Sequence, residues 1–298
     1  TAAGDPDNGT TNVAYRGIAY DAQITFGDIG EDTSAACSSG AVNPPGSLTT
    51  TFSDTLSDGG YIHTNSWGST LNSYNSYCTD VDDFMWNNKD FLILFSAGNA
   101  GPNSSTVGYP GTAKNLVCVG GSDNVPGIEN MYYYSSRGPV NSSNRMAPTL
   151  TVPATDTSET YAGIHSADNT TDATGRTCGI AVDYWSGTSM ACPAVAGMAA
   201  LVRQYFQEGF YPSGSATPGD AMTPTGALMK ATLINSASNM TGNPADRPSN
   251  DQGWGRVLMD DTLFFTGDTE SLYIEDDSVG VATGETDSFP INIDDASI

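Results

Sequence analysis

The run Gly187-Thr188-Ser189-Met190-Ala191-Cys192-Pro193 places a serine where an apolar helix begins. Helix N-termini favour developing negative charge, so a carbonyl attacked by Ser189 would form its oxyanion near backbone donors. A serine hydroxyl is a weak nucleophile until a positioned base, itself oriented by a carboxylate, takes its proton. The chain has two histidines, His63 and His165, and neither sits in a setting that suggests such a base. The run is not the G-x-S-x-G elbow, because Ala191 stands at the fifth position. Taken alone, a capping or packing serine accounts for Ser189 equally well.

Two further segments could do chemistry beside it. In Phe95-Ser96-Ala97-Gly98-Asn99-Ala100-Gly101-Pro102, an amide side chain sits in a glycine-flanked turn after an apolar run. Open α/β sheets bind ligands at the carboxyl ends of their strands, where an Asn99 donor could stabilise a tetrahedral oxyanion. The competing reading is a turn asparagine. Asn65-Ser66-Trp67-Gly68-Ser69 also follows a strand-like run, and its glycine would let a bound peptide's backbone approach closely. The plain alternative is a loop with a half-buried tryptophan.

The elements that must position these residues read as an α/β chain of strand-helix units from Gly17 to about Gly267. The short apolar runs Gln23 to Phe26, Tyr61 to Asn65, Phe91 to Ser96 and Leu116 to Gly120 are the expected core strands. Val81 to Asn88 is the expected crossover helix. Thr188 is a natural N-cap for a helix through Phe206, with Pro193 read as falling in its first turn. Ala191, Ala194, Ala196, Gly197, Ala199 and Ala200 surround that helix rather than striping it, which predicts a buried central helix. Another helix is expected from Thr225 to Ala237. After Gly267 the alternation SLYIEDDSVGVATGETDSFPINI predicts two or three strands, too few to stand alone.

Composition narrows the partners. The 298 residues allow one large core or one domain plus part of a second. A net charge of −24 repels phosphate backbones and anionic head groups, and no run approaches the ~20 apolar residues of a membrane span. Nucleic acid and membrane partners are therefore not expected. The terminus TAAGDPDNGT lacks the pattern of a signal peptide and does not read as a natural start.

Most of the acidity reads as a solvated surface. The clusters Asp80, Asp82, Asp83 and Asp276, Asp277, Asp287 leave structural calcium as an open expectation, without the spacing of a calcium loop. No cofactor is required for the chemistry considered. Five cysteines, at 37, 78, 118, 178 and 192, show no zinc spacing. Cys118 and Cys192 read as buried thiols, and Cys178 has no evident partner. A Cys37–Cys78 disulfide would be worth roughly 4 kcal/mol and would imply an oxidising compartment. The sequons at Asn8, Asn103, Asn141, Asn169 and Asn239 invite a secreted reading without deciding it.

Taken together, the motifs resemble the subtilisin-like serine proteases. GTSMACPAVAG is similar to the family's nucleophile motif, which makes Ser189 the match for the catalytic serine. FSAGNAGPN is similar to the oxyanion segment, which makes Asn99 the side-chain donor. HTNSWGS, SSTVGYPGTAKNLVCVGG and YSSRGP follow in the family's order. The resemblance runs over about residues 1 to 265 and is nearest to alkaline proteases with a C-terminal β-sandwich. It implies a three-layer fold with a mostly parallel sheet, a peptidase portion over 1–265 and the beginning of a β-domain over 266–298. It also implies polypeptide substrates held between Ser66, Trp67, Gly68 and Ser96, Ala97, Gly98 as an added strand. A cis bond is expected at Tyr109-Pro110.

The departures matter equally. The family's D-[ST]-G and H-G-T-H segments are absent, and TAAG at 1 to 4 resembles the residues that follow the histidine motif. His63 matches a non-catalytic position, and His165 lies in a polar stretch, 158 to 178, that reads as a surface loop. Thr149 and Ala154 replace a family aspartate and glycine. The expectation is an extracellular serine endopeptidase portion that is inactive alone, whose Asp and His come from an upstream segment or chain. The alternative is a non-catalytic pseudoprotease or assembly module that retains the fold.

Overall fold

Five consecutive apolar or small residues between a turn and a glycine form the strand at the centre of the molecule. The computed structural model describes residues 2–4, 16–30, 42–155, 163–168, 181–243, 245–277 and 279–290. In it, Leu92–Ser96 (β2) is buried at every position, so both faces of its sheet are covered. Its neighbours are Ile62–Asn65 (β1) and Val117–Ser122 (β3), both parallel to it, with Ile62 opposite Leu92 and Leu94 opposite Val117. Leu150–Pro153 (β4) continues the parallel run, and the order is completed by Arg256–Val257 (β8) and Ala237–Ser238 (β7) as β1-β2-β3-β4-β8-β7. Among the described residues β1 is thus an edge of this sheet, and within the sheet only the β7-β8 pair is antiparallel.

Among the described residues, four α-helices accompany this sheet: Thr49–Ser57 (α1), Ser76–Asn87 (α2), Thr188–Gln207 (α3) and Gly226–Asn235 (α4). α3 packs across β1 to β4 and against α4. Its small residues allow that approach: Ala191, Cys192, Val195 and Ala199 are fully buried, as the ring of alanines predicted. At Gly197 the backbone of the N-terminal segment arrives, and an added Cβ would stand 2.7 Å from the Ala2 carbonyl oxygen and 2.9 Å from Ile18 Cβ. The α/β class and the mostly parallel sheet follow the sequence reading.

Several local expectations are corrected. Gln23 to Phe26 forms no strand; Ile24 and Phe26 are 69% and 84% exposed, so their apolar pattern lacks the paired, covered surface that makes a strand. α2 begins at Ser76, five residues before the expected start, because Asn75 caps it by accepting the Cys78 N–H. Cys78 therefore lies on a helix, as a buried free thiol whose Sγ stands 3.2 Å from Thr112 Oγ1. Cys37 and Cys178 lie outside the described residues. His165 lies on Ile164–Asp168 (β5), paired antiparallel with Ala181–Trp185 (β6), where a surface loop was expected.

The strands expected after Gly267 are not formed within the described residues. Instead Leu272 and Ile274 pack on the core, and Asp276 accepts Thr225 N–H and Oγ1–H at the start of α4. The Tyr109-Pro110 bond is cis, as are other X-Pro bonds among the described residues.

Candidate active site

The carboxyl ends of β1 and β2 and the N-terminus of α3 meet at one place, and each contributes one of the sequence segments. α3 is not capped by Thr188, as expected, but by Gly187, whose φ of 144° is a conformation that favours glycine. The Gly187 N–H is held at 2.7 Å by the Ala154 carbonyl. This releases Thr188 for another task. Thr188 N–H and Oγ1–H both donate to Asn99 Oδ1, at 2.9 and 3.1 Å, while Oγ1 accepts the Gly98 N–H at 3.2 Å. With its oxygen fixed in this way, the Asn99 amide has Nδ2 as its remaining donor end. An added Cβ at Gly187 would stand 3.2 Å from that nitrogen.

Pro193 falls in the second turn of α3 rather than the first, and it has no N–H for the Ser189 carbonyl four residues back. The Ser66 hydroxyl supplies that donor at 2.8 Å. In return, Ser189 Oγ donates to the Ser66 carbonyl at 3.3 Å. The nucleophile candidate is therefore tied to the end of β1 in both directions, across 123 residues of sequence. A helix N-terminus, an oriented amide and a serine hydroxyl converge there, groups of the kind that could serve acyl transfer.

His63 does not supply a base. Its ring stands edge-on to Phe52 at 5.0 Å and receives Asn65 Nδ2 on Nδ1 at 2.8 Å. Burial lowers its pKa to about 4, so it is neutral at pH 7. It is a half-buried histidine on the wall of the cleft beside β1, with its Nδ1 acceptor satisfied by Asn65. His165 lies on β5 opposite Tyr184. The nearby Cys192 does not compete as a nucleophile: its Sγ lies 3.4 Å from Thr64 Oγ1, and burial raises its pKa to about 11.

Trp67 closes one side of the site. Its indole N–H donates to Asn65 Oδ1 at 3.2 Å, and its ring stands edge-on to Phe95 at 5.2 Å. Gly68 makes room for the molecule's own chain: an added Cβ would stand 3.1 Å from the Tyr109 carbonyl oxygen. Ser96, Ala97 and Gly98 are not the second free edge that was expected. β2 lies between two strands, Ala97 N–H bonds to Val119 O, and the Gly98 N–H and C=O are taken by Thr188 and Ser136. They form a wall, and the open strand edge belongs to β1 alone.

The positioning residues that sequence reasoning missed act from a distance. Ser136 Oγ accepts the Ala100 N–H at 3.1 Å, so the SSRGP segment braces the Asn99 turn. Thr149, at the aspartate-to-threonine departure, still accepts the Cys118 N–H through Oγ1 at 3.1 Å. Neither role has a periodicity that would announce it. The acidic clusters also serve the chain itself. Asp80 accepts Leu48 N–H, and Asp82 accepts Lys114 and Asn115 N–H and the Tyr74 hydroxyl. Among the described residues, no group of three or more potential metal ligands converges.

The comparisons with known proteins agree with this geometry. A Dictyostelium discoideum protein, "Serine protease/ABC transporter B family protein tagD", is 25% identical over 360 aligned positions that take in 89% of this chain and 19% of that protein. This chain thus spans about a fifth of that relative's length. A subtilisin of Bacillus sp. (strain TA39) is 32% identical over 139 positions, covering 44% of this chain and 30% of that protein. Among solved structures, a lanthipeptide protease superposes with a TM-score of 0.51 at 23% identity, over 72% of this chain and 64% of the other, a likeness of fold. The pattern of the Subtilase family matches residues 1–255. A match over that much of the chain shows that it belongs to the subtilase family of serine peptidases.

Proposed function

We propose that this chain carries the nucleophile and oxyanion half of a secreted serine endopeptidase, with the Asp and His supplied by a segment outside this sequence. Ser189 attacks the scissile carbonyl and forms an acyl-enzyme, while Asn99 Nδ2 and the Ser189 N–H receive the oxyanion. The observation that carries this reading is the pair of bonds from Thr188 to Asn99 Oδ1, which fix the amide with its donor end beside the start of α3. The edge of β1 fits an extended peptide that adds as a strand.

Support for an external base comes from the same edge. Beside β1 lies a cleft of about 700 Å³, lined by Ile62, Thr64, Ala196 and Gly197 and by the exposed Ile24 and Phe26. Exposed apolar residues along an unpaired strand are suited to being covered by further chain. In a protein that joins this chain to the proposed Asp- and His-bearing segment, Asn99→Ala should lower kcat for a peptide substrate by about 10²–10³-fold, because only the transition state carries the full oxyanion charge. A loss confined to KM would remove Asn99 from that role.

A further inference from the structure

A second site stands apart from the serine and rests on different residues. The chain has three lysines, at 89, 114 and 230, against 34 carboxylates. All three line one groove of about 470 Å³ between α2, α4 and the segment ending at Gly280. Its floor is apolar, made of Met85, Phe91 and Ile234, and the exposed Trp86 forms a wall.

The three ammonium groups have no carboxylate partner among the described residues, although Arg137, Arg203 and Arg256 each have one. Lys89 Nζ sits 3.4 Å from the centre of the Trp86 ring, and Lys114 Nζ lies 5.3 Å from that of Tyr74. Lys230 Nζ donates to the carbonyls of Lys114, Asn115 and Leu116 at 3.0, 3.3 and 2.8 Å. Carbonyls and ring faces orient these cations without neutralising them. Three carboxylates lie close, and all are engaged: Asp276 holds Thr225 N–H and Oγ1–H. Asp82 holds Lys114 N–H, Asn115 N–H and Tyr74 OH, and Asp277 holds the N–H groups of Val279 and Gly280. In a molecule of charge −24, three cations without an ion-pair partner among the described residues, gathered around one apolar groove, mark a local concentration of positive charge.

We propose that this groove binds an amphiphilic organic anion, a carboxylate- or sulfonate-bearing molecule with an apolar body. The body would lie on Met85, Phe91 and Ile234 against Trp86, and the anionic head would face Lys89 and Lys114, with the Lys230 charge behind them. The volume lies within the ordinary range for small-molecule sites, and the lining has their usual form, apolar with a few convergent polar groups. Because Asp277, Val279 and Gly280 form part of the rim, an occupant would also brace the C-terminal segment against α4.

The probe is 8-anilinonaphthalene-1-sulfonate, an aromatic body with one sulfonate, titrated into the folded chain and followed by its fluorescence. The expected result is one saturable site whose affinity falls at least tenfold in the Lys89→Glu/Lys114→Glu variant and weakens with added salt. Competition by dodecanoate extends the result to carboxylates. Arg247→Glu, which changes charge away from the groove, should leave the affinity within about twofold. Should the double variant not fold, Ala231→Phe, which fills the groove without altering charge, should abolish the site. Absence of saturable binding overturns the proposal, as does binding that survives these groove variants or falls equally in Arg247→Glu.

Discussion

Ser189 illustrates how much of a nucleophile's environment is made by side chains that never react. Its carbonyl loses a helical partner because of Pro193 and gains the Ser66 hydroxyl, and its hydroxyl points to the Ser66 carbonyl. Thr188, one residue earlier, orients the amide of Asn99. The motif marked Ser189 and Asn99 as the candidates. It could not show these partners, because each bond joins segments about ninety or more residues apart. His63 provides the sharpest residue-scale prediction. Burial depresses its folded pKa to about 4, below the ordinary 6.5, so the unfolded chain takes up its proton first as the pH falls. The stability from neutral His63 is fully present above about pH 6.5 and lost as the pH falls towards 4, an effect of order 3 kcal/mol. Urea midpoints measured from pH 7 to 4 should fall more steeply for the native chain than for His63→Leu; parallel curves would contradict the burial argument.

Among the elements, legibility followed burial on both faces. β2 was plain because five buried positions leave no polar alternation to confuse the reading. Gln23 to Phe26 has the same look, but its apolar residues have no sheet beside them and stay exposed, a difference of context that a window of sequence does not contain. The first turn of α2 is harder to read, because Ser76, Thr79 and Asp80 are polar, yet Cys78, three residues before Val81, shares its buried face. α3 was read well from its alanines, and Gly197 carries a consequence for stability. Gly197→Leu should lower the denaturation midpoint, with a cost of roughly 1–3 kcal/mol, because the new side chain meets the backbone of Ala2 and the Cβ of Ile18. An unchanged or raised midpoint would show that the N-terminal segment does not pack on α3.

For the molecule as a whole, the sheet, its central helix and the braced turn form a frame that holds a serine and an asparagine at one end. At the edge strand β1, the same frame offers an open side with a large cleft. The whole-molecule reading was legible because the motifs occur in a fixed order, each at the end of a strand or the start of a helix. The groove with three lysines was not, since it depends on three positions that only folding brings together. The central proposal concerns reactivity: Ser189 is the nucleophile, and its base comes from a segment outside this sequence. The direct measurement is intact-mass and peptide analysis after exposure to a serine-directed fluorophosphonate. The account predicts no adduct on this 298-residue chain and stoichiometric labelling of Ser189 in the longer protein that includes the Asp and His segment. Efficient labelling of Ser189 in the chain alone would contradict it.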